Sequence, residues 1–334
     1  MRVDAGLMGG LADVPARIRE LEAAGFDGAM TAETAHDPFF PLLLAAEHSQ
    51  RIELITAIAV AFARSPMILA NLAHDLNAYS KGRFILGRGS QIQPHITKRF
   101  SMPWSHPAAR MRELILAMRA IWANWYEGKK LEFRGEFYTH TLMTPMFTPT
   151  DTSYGPPKVF LAAVGPLMTE VAGEVADGVI CHAFTTEKYM REVTLPAIER
   201  GLVKAGRKRK DFQVSFPGFV VTGATEKAWS DSRRGVCKQI AFYGSTPAYR
   251  PVLEMHGWGG LQTELNALSK QGQWDKMGEL IDDKILEQFA VVGSPDEVIP
   301  RFKARFGDVV DRTTLGFAAG SKSSAKQLIA ELHG

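Results

Sequence analysis

Apolar and polar positions follow two rhythms along this chain, and the rhythms take turns. From Ile52 to Val60 apolar residues fill both faces of a short run, as in a strand buried within a parallel sheet. Ser65-Pro66 follows, an N-cap residue and a first helical residue. Leu69, Leu72, Leu76 and Tyr79 then recur three or four apart and make one helical stripe. Gly82 suits a left-handed stop, and Phe84-Ile-Leu86 restarts a strand. A strand, helix, strand unit makes its two strands parallel, with a right-handed crossover.

The same alternation runs through the chain. Strands are expected at Arg2–Leu7, Phe26–Thr31, Ile52–Val60, from Phe84, at Lys158–Ala163, Gly178–Ala183, Phe212–Thr222 (broken at Pro217-Gly218) and Thr313–Phe317. Helices are expected between them. One is capped by Asp13, one spans Phe39–His48, and a long one starts at Pro107 and carries Trp122 and Trp125 as packing residues. Others span Pro166–Ala176, Glu187–Ala205 and Thr225–Tyr243. Another follows a capping box at Ser294-Pro295-Asp296-Glu297, and Ser323–Leu332 closes the chain. Lys130–His140 reads as a hairpin around Arg134-Gly135. Eight strands alternating with helices predict an α/β fold, a (β/α)8 TIM barrel. It occupies 1–334 as one domain, with insertions at about 125–157 and 245–290.

Composition narrows the function classes. With 334 residues, 46% hydrophobic and 22% charged, the chain has the make-up of a soluble globular protein. A net charge of +3 without long basic runs argues against nucleic-acid binding; Arg207-Lys-Arg-Lys210 reads as a solvated loop. No apolar run reaches the ~20 residues of a membrane span. Strand-like sequence begins at Arg2, and no signal peptide is visible. The two cysteines, Cys181 and Cys237, form no paired motif, so a reducing cytoplasm is expected, with Cys181 in the core.

Parallel strands end on one side of a sheet. Ala32–Asp37, Thr56–Arg64 and Gly87–His95 should therefore meet at the C-terminal edge, where such folds bind ligands. Gly87 and Gly89 permit close backbone approach, and Ser90 offers a hydroxyl. Ala162-Ala-Val-Gly165 precedes a helix start, whose free N–H groups suit phosphate. Loops 91–106, 142–157 and 245–283 carry Met102, Trp104, Phe147, Tyr154, Tyr249 and Trp258, which points to a partly apolar small-molecule substrate or a subunit interface.

Five stretches carry a family likeness: Gly25-Phe-Asp27, Thr56-Ala-Ile-Ala59, Gly82-Arg-Phe-Ile-Leu-Gly-Arg-Gly-Ser90, Ala162-Ala-Val-Gly-Pro166 and Ala176-Asp-Gly178. In order and spacing they resemble the luciferase-like monooxygenase superfamily, and within it the coenzyme F420-dependent oxidoreductase branch. The likeness runs from Val3 to Phe317. It implies a bacterial luciferase-like barrel that moves hydride between F420 and an unidentified small organic substrate, with FMN as the alternative cofactor. It implies a ring wall at Ala57, Ile58 and Ala59, with a non-prolyl cis peptide joining Ala57 and Ile58. Ser90, Gln91 and Gly165 become donors to the cofactor, and Ala162, Ala163 and Val164 complete the segment beside its phosphate. Glu33 matches an acidic position near the ring, as general base or ring contact; the competing reading is a capping or ion-paired carboxylate. The family's histidine position is Thr34 here and His36 lies two residues on, which puts the histidine-base reaction of the sugar-phosphate dehydrogenase branch in doubt. Glu33 and His36 are the catalytic candidates, and Thr34 is a cofactor contact. His95 matches a position on the cofactor tail and His182 one near the phosphate. Arg64, Arg88, Lys98 and Arg99 are basic residues suited to an acidic tail or to solvent. Dimers or larger assemblies are common in the family, so a homo-oligomer is expected.

Three other readings compete: an FMN-dependent monooxygenase, a non-catalytic flavin-binding protein, and a metal-dependent barrel hydrolase using His36, Asp37, His95, His106 and His182. Against the last, the first strand lacks a His-x-His ending and no helix carries HExxH. No metal site is expected.

Overall fold

The computed structural model describes residues 1–314 and 325–334. Eight parallel strands close on themselves. In chain order they are Arg2–Gly6, Gly28–Thr31, Glu53–Thr56, Phe84–Gly89, Lys158–Ala163, Gly178–Cys181, Gln213–Ser215 and Arg312–Thr314. The first strand pairs with the last through Arg2↔Arg312, and the third with the fourth through Ile55↔Ile85, so the ring is complete. This is a (β/α)8 barrel. Residues 315–317 of the expected eighth strand, and the start of the expected closing helix at Ser323, lie outside the described residues; that helix is described as Ala325–His333.

Side chains pointing to the barrel axis stack in layers, because strand residues alternate faces. The base is ionic, with Arg312 and Asp4 fully buried. Arg312 donates through Nε and Nη2 to Asp4, at 2.9 and 2.6 Å, and through Nη1 to Glu53 at 2.6 Å. Gly28 lies opposite, where a Cβ would overlap Asp4 and sit 2.9 Å from Arg312 Nη2. Above this lies an apolar plug of Ile55, Ile85 and Phe160, flanked by Met30 and Ile180. Above it the axis-facing positions of the fourth and fifth strands are small, Gly87, Gly89 and Ala162.

The helices bury their apolar stripes against the outside of this ring. Ser65 caps its helix (Pro66–Tyr79) by accepting from the Ile68 N–H at 3.3 Å. Pro107–Glu127 buries Met111, Leu114, Ile115, Met118, Ile121, Trp122 and Trp125. Gly82 takes the left-handed conformation with φ 82° and donates to Asn77 O. Two cap expectations are corrected. Asp13 stands at the N-cap position of the helix that begins at Val14, as expected, but its side chain turns back to accept from the Gly10 N–H at 3.0 Å and makes no capping bond to that helix. Glu297 does close on Ser294, from both its N–H and its hydroxyl, but as a turn, and the helix starts only at Val298.

The largest departure concerns the seventh strand. The expected run Phe212–Thr222 splits at Pro217-Gly218, where Gly218 has φ 63°. Gln213–Ser215 stays in the barrel. Phe219–Val221 leaves it and pairs with Ala290–Val292, in a separate two-stranded sheet. That sheet and the helices between 226 and 289 form a second apolar core around Phe184, Ile240, Leu253, Leu265, Met277 and Phe289. Among the described residues no helix is long and apolar enough to cross a membrane.

Candidate active site at the barrel mouth

The third strand stops at Thr56, and the chain bulges before resuming as Ala59–Val60. The Ala57–Ile58 peptide within the bulge is cis, as the resemblance implies. The bulge is fastened on three sides. Ala57 N–H donates to Thr31 O at 2.6 Å, Glu33 N–H to Ile58 O at 3.1 Å, and Thr56 Oγ1 to Gly87 O at 2.6 Å. Glycine is required at 87, because a Cβ there would overlap the Thr56 carbonyl oxygen. The Ile58 side chain reaches over the fourth strand: a Cβ on Gly89 would meet both Ile58 Cδ1 and Ala162 Cβ at 3.3 Å. Ile58, Gly89 and Ala162 thus share one patch of the mouth. Ala59 and Ala163 are buried and pack in the core behind it.

Glu33 is buried, and both of its carboxylate oxygens are engaged. Oε2 accepts from the Val60 N–H at 2.7 Å and from Arg64 Nη1 at 2.8 Å; Oε1 accepts from Arg64 Nη2 at 3.0 Å. Arg64 also reaches Asp37 Oδ2 at 3.1 Å and lies over the Phe39 ring. His36 and Thr34 are exposed beside this brace, and the Thr34 carbonyl accepts from Arg99.

The loop after the fourth strand turns at Gln91, with φ 57°. Ser90 Oγ donates to Gln91 O, and Gln91 Oε1 accepts from the Ile92 N–H. His95 is exposed at the start of a π-helical turn, His95–Arg99, that also presents Lys98. Gly165 caps the helix Pro166–Val175, and a Cβ added there meets nothing within 4 Å. Val164 O accepts from Tyr189 Oη at 3.3 Å.

His182 follows the sixth strand on the face that turns Ile180 toward the barrel axis. Its ring meets Tyr243 edge-on at 4.4 Å and Tyr249 at 4.8 Å. The Phe184 N–H donates to Nδ1 at 3.1 Å. Burial lowers the imidazole pKa to about 4 and raises those of both tyrosines.

Three expectations change. Arg88 does not face the mouth. It points outward, is fully enclosed, and contacts Met118 Sδ while Nε and Nη2 have no partner; burial lowers its pKa to about 9. Tyr154 packs on Gly82 and Asn77 holds Gly155 O, which places that part of the 142–157 insertion near the start of the fourth strand, away from the mouth. Trp104 packs on Phe62 and Trp258 on His256, while Tyr249 meets the His182 ring of the candidate site. Cys181 is buried, and burial pushes its thiol up to about 12. Among the described residues no three His, Cys, Asp or Glu side chains converge as a metal site. Sequence reasoning allowed Glu33 an ion pair, which the structure shows, but did not name Arg64 as its partner, and it missed the part played by Tyr243. The pairing left a trace, an acid and a base each just past a strand end.

The model of the luciferase-like monooxygenase family matches residues 2–312. An uncharacterized protein of Mycobacterium tuberculosis (strain ATCC 25618 / H37Rv) is 55% identical over 96% of this chain and 95% of its own length. The 5,10-methylenetetrahydromethanopterin reductase of Archaeoglobus fulgidus is 28% identical over 93% of this chain and 92% of its own. Among solved structures, the coenzyme F420-dependent tetrahydromethanopterin reductase of Methanopyrus kandleri superposes with a TM-score of 0.78 at 21% identity, covering 99% of this chain and 96% of that one. The oxygenating constituent of 3,6-diketocamphane monooxygenase of Pseudomonas putida, in complex with FMN, superposes with a TM-score of 0.66 at 16% identity, covering 99% and 98%. The family thus includes F420-dependent and FMN-dependent proteins, and with its model matched across nearly the whole barrel this chain belongs to the luciferase-like monooxygenase family.

Proposed function

We propose that this protein is an F420-dependent oxidoreductase acting on a small organic molecule. The observation that carries the reading is the braced bulge at Ala57–Ile58, set over a mouth floored by Gly89 and Ala162. A flat tricyclic ring needs an apolar wall on one face and no bulky side chain beneath it, and these residues meet both needs. The open helix start at Gly165 suits a phosphate, since its N–H groups lack intrahelical partners and nothing crowds its Cα. His95, Lys98 and Arg99 give the nearby rim a basic character suited to an acidic tail. When bound, the deazaflavin supplies a two-electron hydride carrier; the chain orients it and the substrate. Glu33 acts as a positioning residue, since its carboxylate holds Arg64 and the bulge, and His36 is the exposed titratable group beside them.

The relatives support this reading: the reductase of Archaeoglobus fulgidus, aligned over nearly the full chain, favours reductase chemistry, and the F420-dependent reductase structure superposes better than the FMN-bound one. Two buried, unpaired thiols suit a reducing cytoplasm. A second copy of the chain is the partner suited to the outer face of helices Phe39–Glu47 and Pro66–Tyr79, where Phe40, Leu43, Ile68 and Tyr79 stand exposed.

Parallel fluorescence titrations with F420 and FMN test the cofactor. Tight binding of F420 alone is expected. Preference for FMN would move the protein to the monooxygenase side of its family.

A further inference from the structure

The group at the end of the sixth strand has no assignment in the reading above beyond proximity to the mouth, and its geometry is specific. His182 is half-buried between two tyrosine rings, one contributed by the helix Glu226–Gly244 and the other by the turn Pro247–Tyr249. A neutral imidazole carries its proton on one nitrogen only. Here the Phe184 N–H occupies Nδ1 as a donor, so the ring proton must sit on Nε2. Nε2 has no partner among the described residues, and it is not among the buried side-chain atoms left without one. His182 Nε2 is therefore an N–H donor of fixed tautomer, without a partner among the described residues, set in aromatic surroundings.

We infer that His182 Nε2–H is the hydrogen-bond donor that receives an uncharged acceptor oxygen of the substrate, a carbonyl by chemical class, at the barrel mouth. The inference rests on the oxidoreductase reading and deepens it. The contacts of His182 decide between a carbonyl and an anion. Tyr243, Tyr249 and the Phe184 backbone carry no charge, and an anion held there by neutral donors would lose its hydration without a cation in return. A carbonyl oxygen is satisfied by one or two such donors. Burial also holds the ring neutral at physiological pH, so the donor persists without becoming a cation. A carbonyl polarised in this way can take hydride at its carbon from the reduced carrier and a proton from solvent at its oxygen, giving the alcohol and the oxidised carrier, which ties the site to the proposed chemistry. The sequence likeness placed His182 near a phosphate; the neutral cage argues for a substrate oxygen instead.

The test is nitrogen NMR of the full chain with 15N-labelled histidine, with and without saturating F420. Between pH 5 and 8 the His182 ring should show a protonated Nε2 and a bare Nδ1. Cyclohexanone should move the Nε2 signal, whereas methylenecyclohexane, of the same shape without the oxygen, and inorganic phosphate should not. His182→Phe should bind cyclohexanone about tenfold more weakly, and His182→Gln, which retains a donor, should recover most of that loss. An Nδ1–H tautomer, or a response to phosphate in place of the ketone, overturns the inference. F420 binding is read separately by fluorescence: its absence defeats the cofactor reading, while F420 binding with an unresponsive Nε2 defeats only the role given to His182.

Discussion

Arg64 grips both carboxylate oxygens of Glu33, Nη1 on Oε2 at 2.8 Å and Nη2 on Oε1 at 3.0 Å, across 31 residues of sequence. The pair joins the segment after the second strand to the segment after the third, and Val60 N–H completes it. A buried pair loses most when one partner is left alone. Glu33→Gln and Arg64→Met should each destabilise the protein by about 2–4 kcal/mol in urea titrations. The double variant should fall short of the sum by at least about 1 kcal/mol. Strict additivity would show that the clasp is not an energetic unit.

Two glycines at the mouth should behave oppositely. Gly87→Ala pushes a methyl against the Thr56 carbonyl and to within 2.9 Å of Ile180 Cδ1, so the third and fourth strands must separate. A loss of about 2 kcal/mol or more is expected in its unfolding midpoint. Gly165→Ala meets open space at φ −78°, so its stability should stay within about 0.5 kcal/mol of the parent. F420 affinity should nevertheless drop for Gly165→Ala, because the added methyl intrudes where a phosphate is proposed to sit. Full F420 affinity in this stable variant would move the phosphate elsewhere.

Burial lowers the pKa of His182 from an ordinary 6.5 to about 4. A group depressed in the fold supports stability fully above its unfolded value and loses that support as pH falls toward its folded one. Wild type should therefore lose stability relative to His182→Gln between pH 6.5 and 4, by roughly 2 kcal/mol after allowance for the partial exposure of the ring. Parallel pH profiles for the two proteins would contradict this.

Phe40 is 61% exposed and Ile68 is 52% exposed on adjacent helices. If a second copy covers them, Phe40→Glu combined with Ile68→Glu should yield a monomer by light scattering where the parent is a dimer. A monomeric parent would remove the interface altogether.

What could be read from the sequence was local. Ser65, Pro66 and the stripe from Leu69 to Tyr79 announce a helix because cap, first turn and packing face all lie within fifteen residues; the structure keeps the cap and first turn and buries Leu69 and Leu76, while Tyr79 ends the helix exposed. All eight barrel strands were legible for the same reason. The second half of the seventh strand was not: Phe219–Val221 has the composition of a barrel strand, but its partner at Ala290–Val292 lies some seventy residues away. Arg88 was misplaced because its neighbours suggested an exposed edge, whereas strand alternation turns it outward under the helix that carries Met118. The Glu33–Arg64 clasp and the tyrosines around His182 share this limit, since no period or spacing links residues brought together only by closure of the ring.

The ionic base joins Asp4 to Arg312 across 308 residues, and the same seam pairs the first strand with the last. During translation the first seven strands therefore emerge as an open trough. Its rims, at Arg2–Gly6 and Gln213–Ser215, offer unpaired backbone groups to any other nascent chain. Asp4 waits for its guanidinium until Arg312 has been made. The protein is thus at its most sticky while the eighth strand is still missing, and chains cut short before Arg312 should yield insoluble product rather than a weaker enzyme.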